Sequence, residues 1–185
     1  MLTINFIPFK NLETERLFLR RIDTIDVDAV LELRGNPQTM KYIPRPLVKT
    51  KEDALEHIAM INEKIDNSTG INWVITLKDN PKLIGIIGHY RIQPENYRAE
   101  IGYMILPQYH GKGIATEAIK AVVEYGFEEM QLHSLEAIID PENQASEKVL
   151  LKSGFVKEAH IKENEFYDGK FIDTVIYSLL RKNFK

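Results

Sequence analysis

The spacing of apolar residues in the first third of the chain predicts one strand followed by two helices. Residues 16–22 are rich in Leu, Phe and Ile, as in a strand. Residues 28–34 and 51–65 place apolar side chains three or four positions apart, as on one face of a helix. Thr50 and Asp53 stand at the spacing of a capping box before the second helix, with Asp in place of the usual Glu.

The rest of the chain predicts a sheet interrupted by two more helices. Two β-branched runs, residues 71–77 and 82–92, flank the turn residues Asp79, Asn80 and Pro81 and indicate an antiparallel hairpin. The later predicted elements are a strand (99–106), a helix (115–130), a strand (134–140), a helix (141–152) and a hairpin (154–180) around Asp168-Gly169. This order predicts a single domain over residues 1–185, a mixed α/β sandwich with a central βαβ unit.

Composition narrows the classes of function. The chain is 44% hydrophobic and 28% charged, has no apolar run long enough for a membrane span and does not open on a secretory signal pattern, so we expect a cytoplasmic protein without membrane attachment. A net charge of −3 gives no reason to expect nucleic-acid binding. The absence of cysteine excludes thiol catalysis and thiolate metal sites, and the five histidines lack ligand spacing, so we expect no metal.

The stretch from His110 to Thr116 combines two glycines and a lysine at the start of a predicted helix. The first turn of a helix has unpaired N–H groups and a partly positive end, which bind phosphate, and glycine lets the backbone approach the anion. A Walker A loop is absent, and a dinucleotide fingerprint fails at Thr116. On these residues alone, a pyrophosphate cradle and a tight turn that only caps the helix remain equal alternatives.

Three ordered segments carry a resemblance to a known family. The segments AEIGYMILPQYHGKGIATEAI, DPENQASEKVLLKSGF and LETERLFLR, which together span most of the chain, resemble the GNAT acetyltransferase superfamily. They are most similar to its subgroup of ribosomal-protein N-terminal acetyltransferases. His110 departs from the Gln or Arg that the family has at the first position of its loop.

The resemblance implies the GNAT fold, a mostly antiparallel central sheet flanked by helices, with acetyl-CoA as co-substrate in its βαβ unit. In that family the strand before the glycine loop splays from the next strand, so that the pantetheine arm fits between them. The positions expected to contact acetyl-CoA are Met104, Ile105, Leu106, His110, Gly111, Lys112, Gly113, Ile114, Ala115, Thr116 and Asn143.

The resemblance also implies candidates for the chemistry. Glu100 and Glu158 match glutamates that family members use as a base; the alternatives are a charge paired on a strand face and a solvated strand residue. Ser146 is expected near the sulfur, where it could protonate the leaving thiolate, while Asn143 and Ser146 could equally be an ordinary helix cap. A tyrosine often serves as the acid in the family, but Tyr103 is interpreted here as a packing residue.

The function implied is an N-acetyltransferase that transfers the acetyl group to a primary amine by direct attack, with the N-terminal α-amine of a ribosomal protein as first candidate. The alternatives are a small amine, such as a polyamine, an amino acid or an aminoglycoside, and a domain that binds acetyl-CoA without catalysis. Acceptor recognition is expected from the first two helices, the loop 44–46 and the turn 167–169. The family allows a homodimer, which no feature of the sequence establishes.

Overall fold

The computed structural model describes residues 1–184. Its strands are β1 (Leu12–Glu13), β2 (Leu17–Arg20), β3 (Ile71–Leu77), β4 (Asn80–Gln93), β5 (Arg98–Ile105), β6 (Ser134–Ile139), β7 (Val156–Tyr167) and β8 (Lys170–Leu180). Its α-helices are α1 (Val27–Gly35), α2 (Pro37–Met40), α3 (Lys51–Asp66), α4 (Ile114–Glu128) and α5 (Gln144–Lys152).

The eight strands form one sheet in the order β1-β2-β3-β4-β5-β6-β8-β7. The pairing of β5 with β6 is parallel, and the other pairings in the described chain are antiparallel. Because parallel neighbours need a crossover, α4 connects β5 to β6 as the helix of the βαβ unit. The predicted mixed, mostly antiparallel sheet with a central βαβ unit is confirmed.

The helices cover both faces of the sheet, and the side-chain alternation of β4 shows which residues face which layer. His89 and its odd-numbered neighbours face α4, where the His89 Nε2–H donates to the carbonyl of Val122 at 2.9 Å. Tyr90 and Ile86 point the other way, towards Arg34 of α1 and His57 of α3. We call the side covered by α1 and α3 the acceptor face and the side covered by α4 the helix-α4 face.

Local signals explain most element boundaries. The Thr50–Asp53 capping box is formed in both directions at the start of α3. Asp168 and Gly169 both adopt positive φ angles, 49° and 80°, as the predicted two-residue hairpin requires.

Two differences from the sequence prediction have a local cause. The short helix α2 was not predicted, and it begins at Pro37 because the Asn36 side chain caps it. Helix α5 begins at Gln144 instead of Pro141, since the Asn143 side chain caps it and a turn precedes it.

Candidate active site

Strands β5 and β6 separate from each other along their second halves. They pair through Arg98 with Ser134, Ala99 with Leu135 and Glu100 with Glu136, and no later pair is formed in the described chain. Strand β4 nevertheless holds β5 as far as Ile105. A strand that leaves its neighbour presents unpaired N–H and C=O groups along that edge. The result is a slot between β5 and β6, as the resemblance implied.

Alternate residues of β5 point their main-chain groups into the slot. Met104 pairs with β4, and the Leu106 N–H donates to the carbonyl of Ile84 at 2.9 Å. In an antiparallel ladder, alternate residues direct their main-chain N–H and C=O groups to opposite sides of the strand. The main-chain groups of Tyr103 and Ile105 therefore point towards β6. Of the three residues expected to bind the pantetheine arm, Ile105 is therefore the one whose main chain faces the slot.

The glycine loop leads directly into α4. Gly111 and Gly113 have φ angles of 72° and 78°, in the left-handed region that favours glycine. Gly113 is the N-cap of α4, and no side chain caps the helix there. The first-turn N–H groups of Ile114, Ala115 and Thr116 therefore remain open to an anion, with the helix dipole behind them.

Two side chains brace this loop. A ring nitrogen of His110, Nε2, donates to the carbonyl of Ile105 at 2.8 Å, which ties the loop to the end of β5. Arg16 donates from Nη1 to the carbonyl of Lys112 at 2.9 Å and from Nε to Glu117 at 2.7 Å. Burial raises the pKa of Glu117, but hydrogen bonds from Thr14 and Arg16 outweigh it, so the net pKa is lowered and the carboxylate stays ionised.

Asn143 and Ser146 lie together at the start of α5. The Asn143 Oδ1 accepts from the Ser146 N–H at 3.1 Å, so the capping alternative is realised. The Ser146 hydroxyl is also free to act elsewhere, and it lies 2.7 Å from the hydroxyl of Tyr103. Ser146 is 9% exposed, and burial raises the pKa of Tyr103 to about 12, so the phenol is protonated near pH 7.

Glu100 lies on the opposite face of β5 from Tyr103, because the two side chains are an odd number of residues apart. Its carboxylate is 15% exposed. Burial raises its pKa above the ordinary value; Arg91 opposes this and Glu136 adds to it. Arg91 Nη1 lies 2.9 Å from Oε2 without hydrogen-bond geometry, so that oxygen is paired by charge alone. A carboxylate in this state can accept a proton.

Glu158 lies in a different environment. It is on β7, where its carboxylate accepts a hydrogen bond from the Ser178 hydroxyl. A cleft of about 1310 Å³ extends from the acceptor face through the slot; its lining includes Glu100, Tyr103, Asn143 and Ser146, but not Glu158. The structure thus brings four of these residues together and leaves Glu158 outside the cleft, which the loop 44–46 and residues 167–168 also line.

Two contacts near this site were not predicted from the sequence. Tyr103 packs against the core as interpreted, and its hydroxyl also lines the cleft beside Ser146. Arg16 belongs to the segment LETERLFLR, yet nothing in that segment shows that it reaches Lys112, 96 residues away. Only the tertiary fold reveals that contact.

Comparison with known proteins now identifies the family. The profile described as "Acetyltransferase (GNAT) domain" matches residues 16–156. The chain is also 35% identical over 173 residues to the uncharacterized N-acetyltransferase YoaA of Bacillus subtilis (strain 168), covering 94% of this chain and 98% of YoaA. The protein belongs to the GNAT family. It is an N-acetyltransferase that uses acetyl-CoA.

Solved structures agree with this assignment. Spermidine N-acetyltransferase from Vibrio cholerae in complex with CoA and spermine has a TM-score of 0.80 and 25% identity, covering 92% of this GNAT chain and 98% of that one. Ribosomal-protein-S5-alanine acetyltransferase from Vibrio fischeri has a TM-score of 0.81 and 24% identity, covering 95% and 99%, and supports the fold alone.

Within residues 1–184, no helix combines the length and apolar character needed to cross a membrane. No group of three or more His, Cys, Asp or Glu side chains in the same residues could hold a metal ion.

Proposed function

We propose that this GNAT protein transfers the acetyl group by direct attack of a primary amine, with Glu100 as base and the Tyr103–Ser146 pair at the leaving sulfur. The observation that carries the proposal is the slot between β5 and β6. Glu100 lies on the acceptor face of β5, Tyr103 lies on the helix-α4 face, and both line the same cleft. The slot joins these two faces where the strands separate.

The reaction then divides between the two faces. The amine nitrogen attacks the thioester carbon from the acceptor face, and its proton passes to Glu100 directly or through water. The carbon–sulfur bond breaks, and the thiolate forms on the side of Tyr103 and Ser146. One hydroxyl of that pair donates to the other, which leaves one O–H to protonate the thiolate. Glu100 then releases the proton it took from the amine, and solvent returns a proton to the hydroxyl, so the products are the amide and the CoA thiol.

The N-terminal α-amine of a protein is the first candidate acceptor. Its ordinary pKa is about 7.7–8.0, against about 10.4 for a lysine, so a modest base suffices.

A polyamine is the second candidate, favoured by the similarity to a spermidine acetyltransferase and by the acidic side chains Asp140, Glu142, Glu165 and Asp173 along the cleft.

Release of free CoA thiol from acetyl-CoA tests the proposal. A peptide with a free α-amine should release CoA, and the same peptide with a blocked amine should not. Spermidine in parallel decides between the two acceptor candidates. If the protein binds CoA in calorimetry but releases none with peptides, spermidine, amino acids or aminoglycosides, the domain is a binding module and the proposed catalysis is wrong.

Glu100→Gln tests the base. The amide cannot accept the amine proton, so we expect kcat/KM to fall about 100-fold, the scale of general-base catalysis. Glu158→Gln is the matched control, since its carboxylate lies outside the cleft, and we expect a change of less than about threefold. A larger loss for Glu158→Gln than for Glu100→Gln would transfer the role to Glu158.

A further inference from the structure

A second, smaller cavity of about 70 Å³ lies beside the acceptor cleft. Arg34, His57, Tyr90 and Met104 line both spaces, so the small cavity, which we call the side cavity, borders the place where the acceptor enters. Water in the liquid occupies about 30 Å³ per molecule, so the side cavity has room for a group about the size of a carboxylate.

The side cavity contains buried polar atoms without partners. Asn72 is 2% exposed; its amide donates to the hydroxyl oxygen of Tyr90, while its Oδ1 has no partner among residues 1–184. The Arg34 Nε is buried and lacks a partner in the same residues, where no carboxylate lies within 4.0 Å of its guanidinium. Buried polar groups in folded proteins are normally satisfied, so the Arg34 N–H indicates an acceptor group on a ligand, whereas the Asn72 Oδ1 needs a donor.

The charged residues of the side cavity favour a negatively charged group on the ligand. Arg34 and Lys64 line it, and no acidic side chain does. Burial lowers the pKa of His57 to about 4, so this imidazole is neutral near pH 7 and adds hydrogen-bonding capacity without charge. The Tyr90 hydroxyl, which accepts from Asn72, keeps its own proton for donation. This set of donors suits a carboxylate, which Arg binds in a planar fork.

The side cavity also lies close to the proposed base. Tyr90 is the register partner of Glu100 across β4 and β5. Directly opposed residues in an antiparallel pair have Cβ atoms about 5 Å apart. Both side chains therefore leave the acceptor face of the sheet beside each other, and a short acceptor can reach from one to the other.

We propose that the acceptor is an amino acid or peptide with a carboxylate within one or two residues of its primary amine, that Arg34 and Tyr90 bind this carboxylate, and that the Asn72 amide positions the Tyr90 hydroxyl. The inference rests on the proposed function of the cleft, and it favours such acceptors over polyamines, which have no carboxylate. Arg34 then acts in acceptor selection, without taking part in the proton transfers.

Matched acceptor pairs test the inference. One arm compares free amino acids with their amides, and the other compares short C-terminally amidated peptides that have Glu or Gln at the first or second position. We expect the wild type to favour the carboxylate member of at least one arm about tenfold or more in kcat/KM, mainly through KM. The arm that responds distinguishes a free amino acid from an acidic protein N-terminus.

Arg34→Gln should remove this preference by lowering kcat/KM for the carboxylate acceptor about tenfold more than for its amide. Arg34→Lys keeps the positive charge but lacks the two parallel N–H groups of the guanidinium, so it should retain part of the preference. It replaces Arg34→Gln in the test if that variant does not fold. Arg181→Gln is the matched control: Arg181 is not among the cleft residues and pairs with Glu128, so the preference should persist.

Two results overturn the inference. Equal turnover of both members of every pair by the wild type would do so while leaving the acetyltransfer itself intact. An equal loss for acid and amide in Arg34→Gln would assign Arg34 a structural role. If no amine is turned over, the proposed function fails, but binding to the side cavity can still be tested by the thermal shift of the CoA complex. A shift with the acid probe and none with its amide supports carboxylate binding there. Equal shifts refute it.

Discussion

Tyr103 and Ser146 show how one pair of hydroxyls serves both folding and chemistry. The Ser146 N–H donates to the Asn143 side chain, which caps α5, and the Ser146 hydroxyl lies 2.7 Å from the hydroxyl of Tyr103. Capping and ligand contact are therefore compatible at the same residue. The hydroxyl pair is buried, and a preorganised donor in such a place stabilises developing charge more strongly than it would in water.

Removing either hydroxyl should damage the leaving-group side of the reaction. We expect Tyr103→Phe and Ser146→Ala each to lower kcat about 10- to 100-fold with a small change in the KM for acetyl-CoA. The double variant should lose little more than the worse single one, because the hydroxyls act as a unit. Steady-state kinetics measure all three variants.

The control for this pair is Tyr109→Phe. Its ring lies near the Lys112 ammonium at 5.5 Å, and its hydroxyl has no side-chain hydrogen bond in residues 1–184, so kcat should stay near the wild-type value. Additive losses for Tyr103→Phe and Ser146→Ala would show that the two hydroxyls act separately.

At the scale of the elements, the start of α4 depends on the turn between β1 and β2, which is far away in sequence. Thr14 and Arg16 direct three hydrogen bonds of 2.6–2.8 Å to the Glu117 carboxylate, from the Thr14 hydroxyl, the Arg16 N–H and the Arg16 Nε. Arg16 also binds the carbonyl of Lys112. This network fixes the glycine loop against the start of β2 while the first-turn N–H groups stay open to a diphosphate.

Arg16→Gln should therefore weaken acetyl-CoA binding. We expect the KM for acetyl-CoA to rise about five- to tenfold with kcat changed less than about twofold, because the loop loses its brace and a nearby positive charge. Calorimetry with CoA gives an independent measurement. Lys10→Gln is the control: it removes an exposed pair with Glu129 beyond the other end of α4, and such pairs contribute little. Equal effects of both variants would contradict the bracing role.

Local patterns predicted the elements well and the site only in part. The capping box at Thr50, the Asp168-Gly169 turn and the helix spacing of α3 and α4 are encoded by neighbours in sequence, so they were readable. The extent of pairing between β5 and β6 depends on how α4 crosses the sheet. Tyr103, Arg16 and the side cavity follow from that tertiary arrangement, which has no local signal.

At the scale of the whole molecule, the sheet divides the reaction between two layers. In the proposed reaction the acceptor enters beneath α1 and α3, while the glycine loop binds the diphosphate and α5 lies at the thioester end on the other face. Such a division requires a rigid sheet, and its centre is well packed. Trp73, fully buried in β3, contacts Tyr125 of α4 edge-on at 4.9 Å between ring centroids, and its indole N–H donates to the carbonyl of Lys10.

His89 connects this core to the stability of the entire fold. The side chain is fully buried between β4 and α4, and burial lowers its pKa from 6.5 to about 4, against the hydrogen bond to Val122. A group with a lowered folded-state pKa contributes stability that is present above the unfolded pKa and is lost as pH falls towards the folded pKa. The window therefore runs from about pH 6.5 down to about pH 4.

Acid titration of stability tests this role. At about 1.36 kcal/mol per unit, protonation of His89 in the unfolded chain should lower the free energy of unfolding by about 3 kcal/mol between pH 7 and pH 4. His89→Gln keeps an N–H donor for Val122. Its free energy of unfolding should fall by about 3 kcal/mol less than that of the wild type between pH 7 and pH 4, and the remaining fall includes the contribution of His57. Urea unfolding at each pH gives the values. His133→Gln removes an exposed imidazole and should follow the wild type; a wild-type slope in His89→Gln would show that His89 does not control acid unfolding.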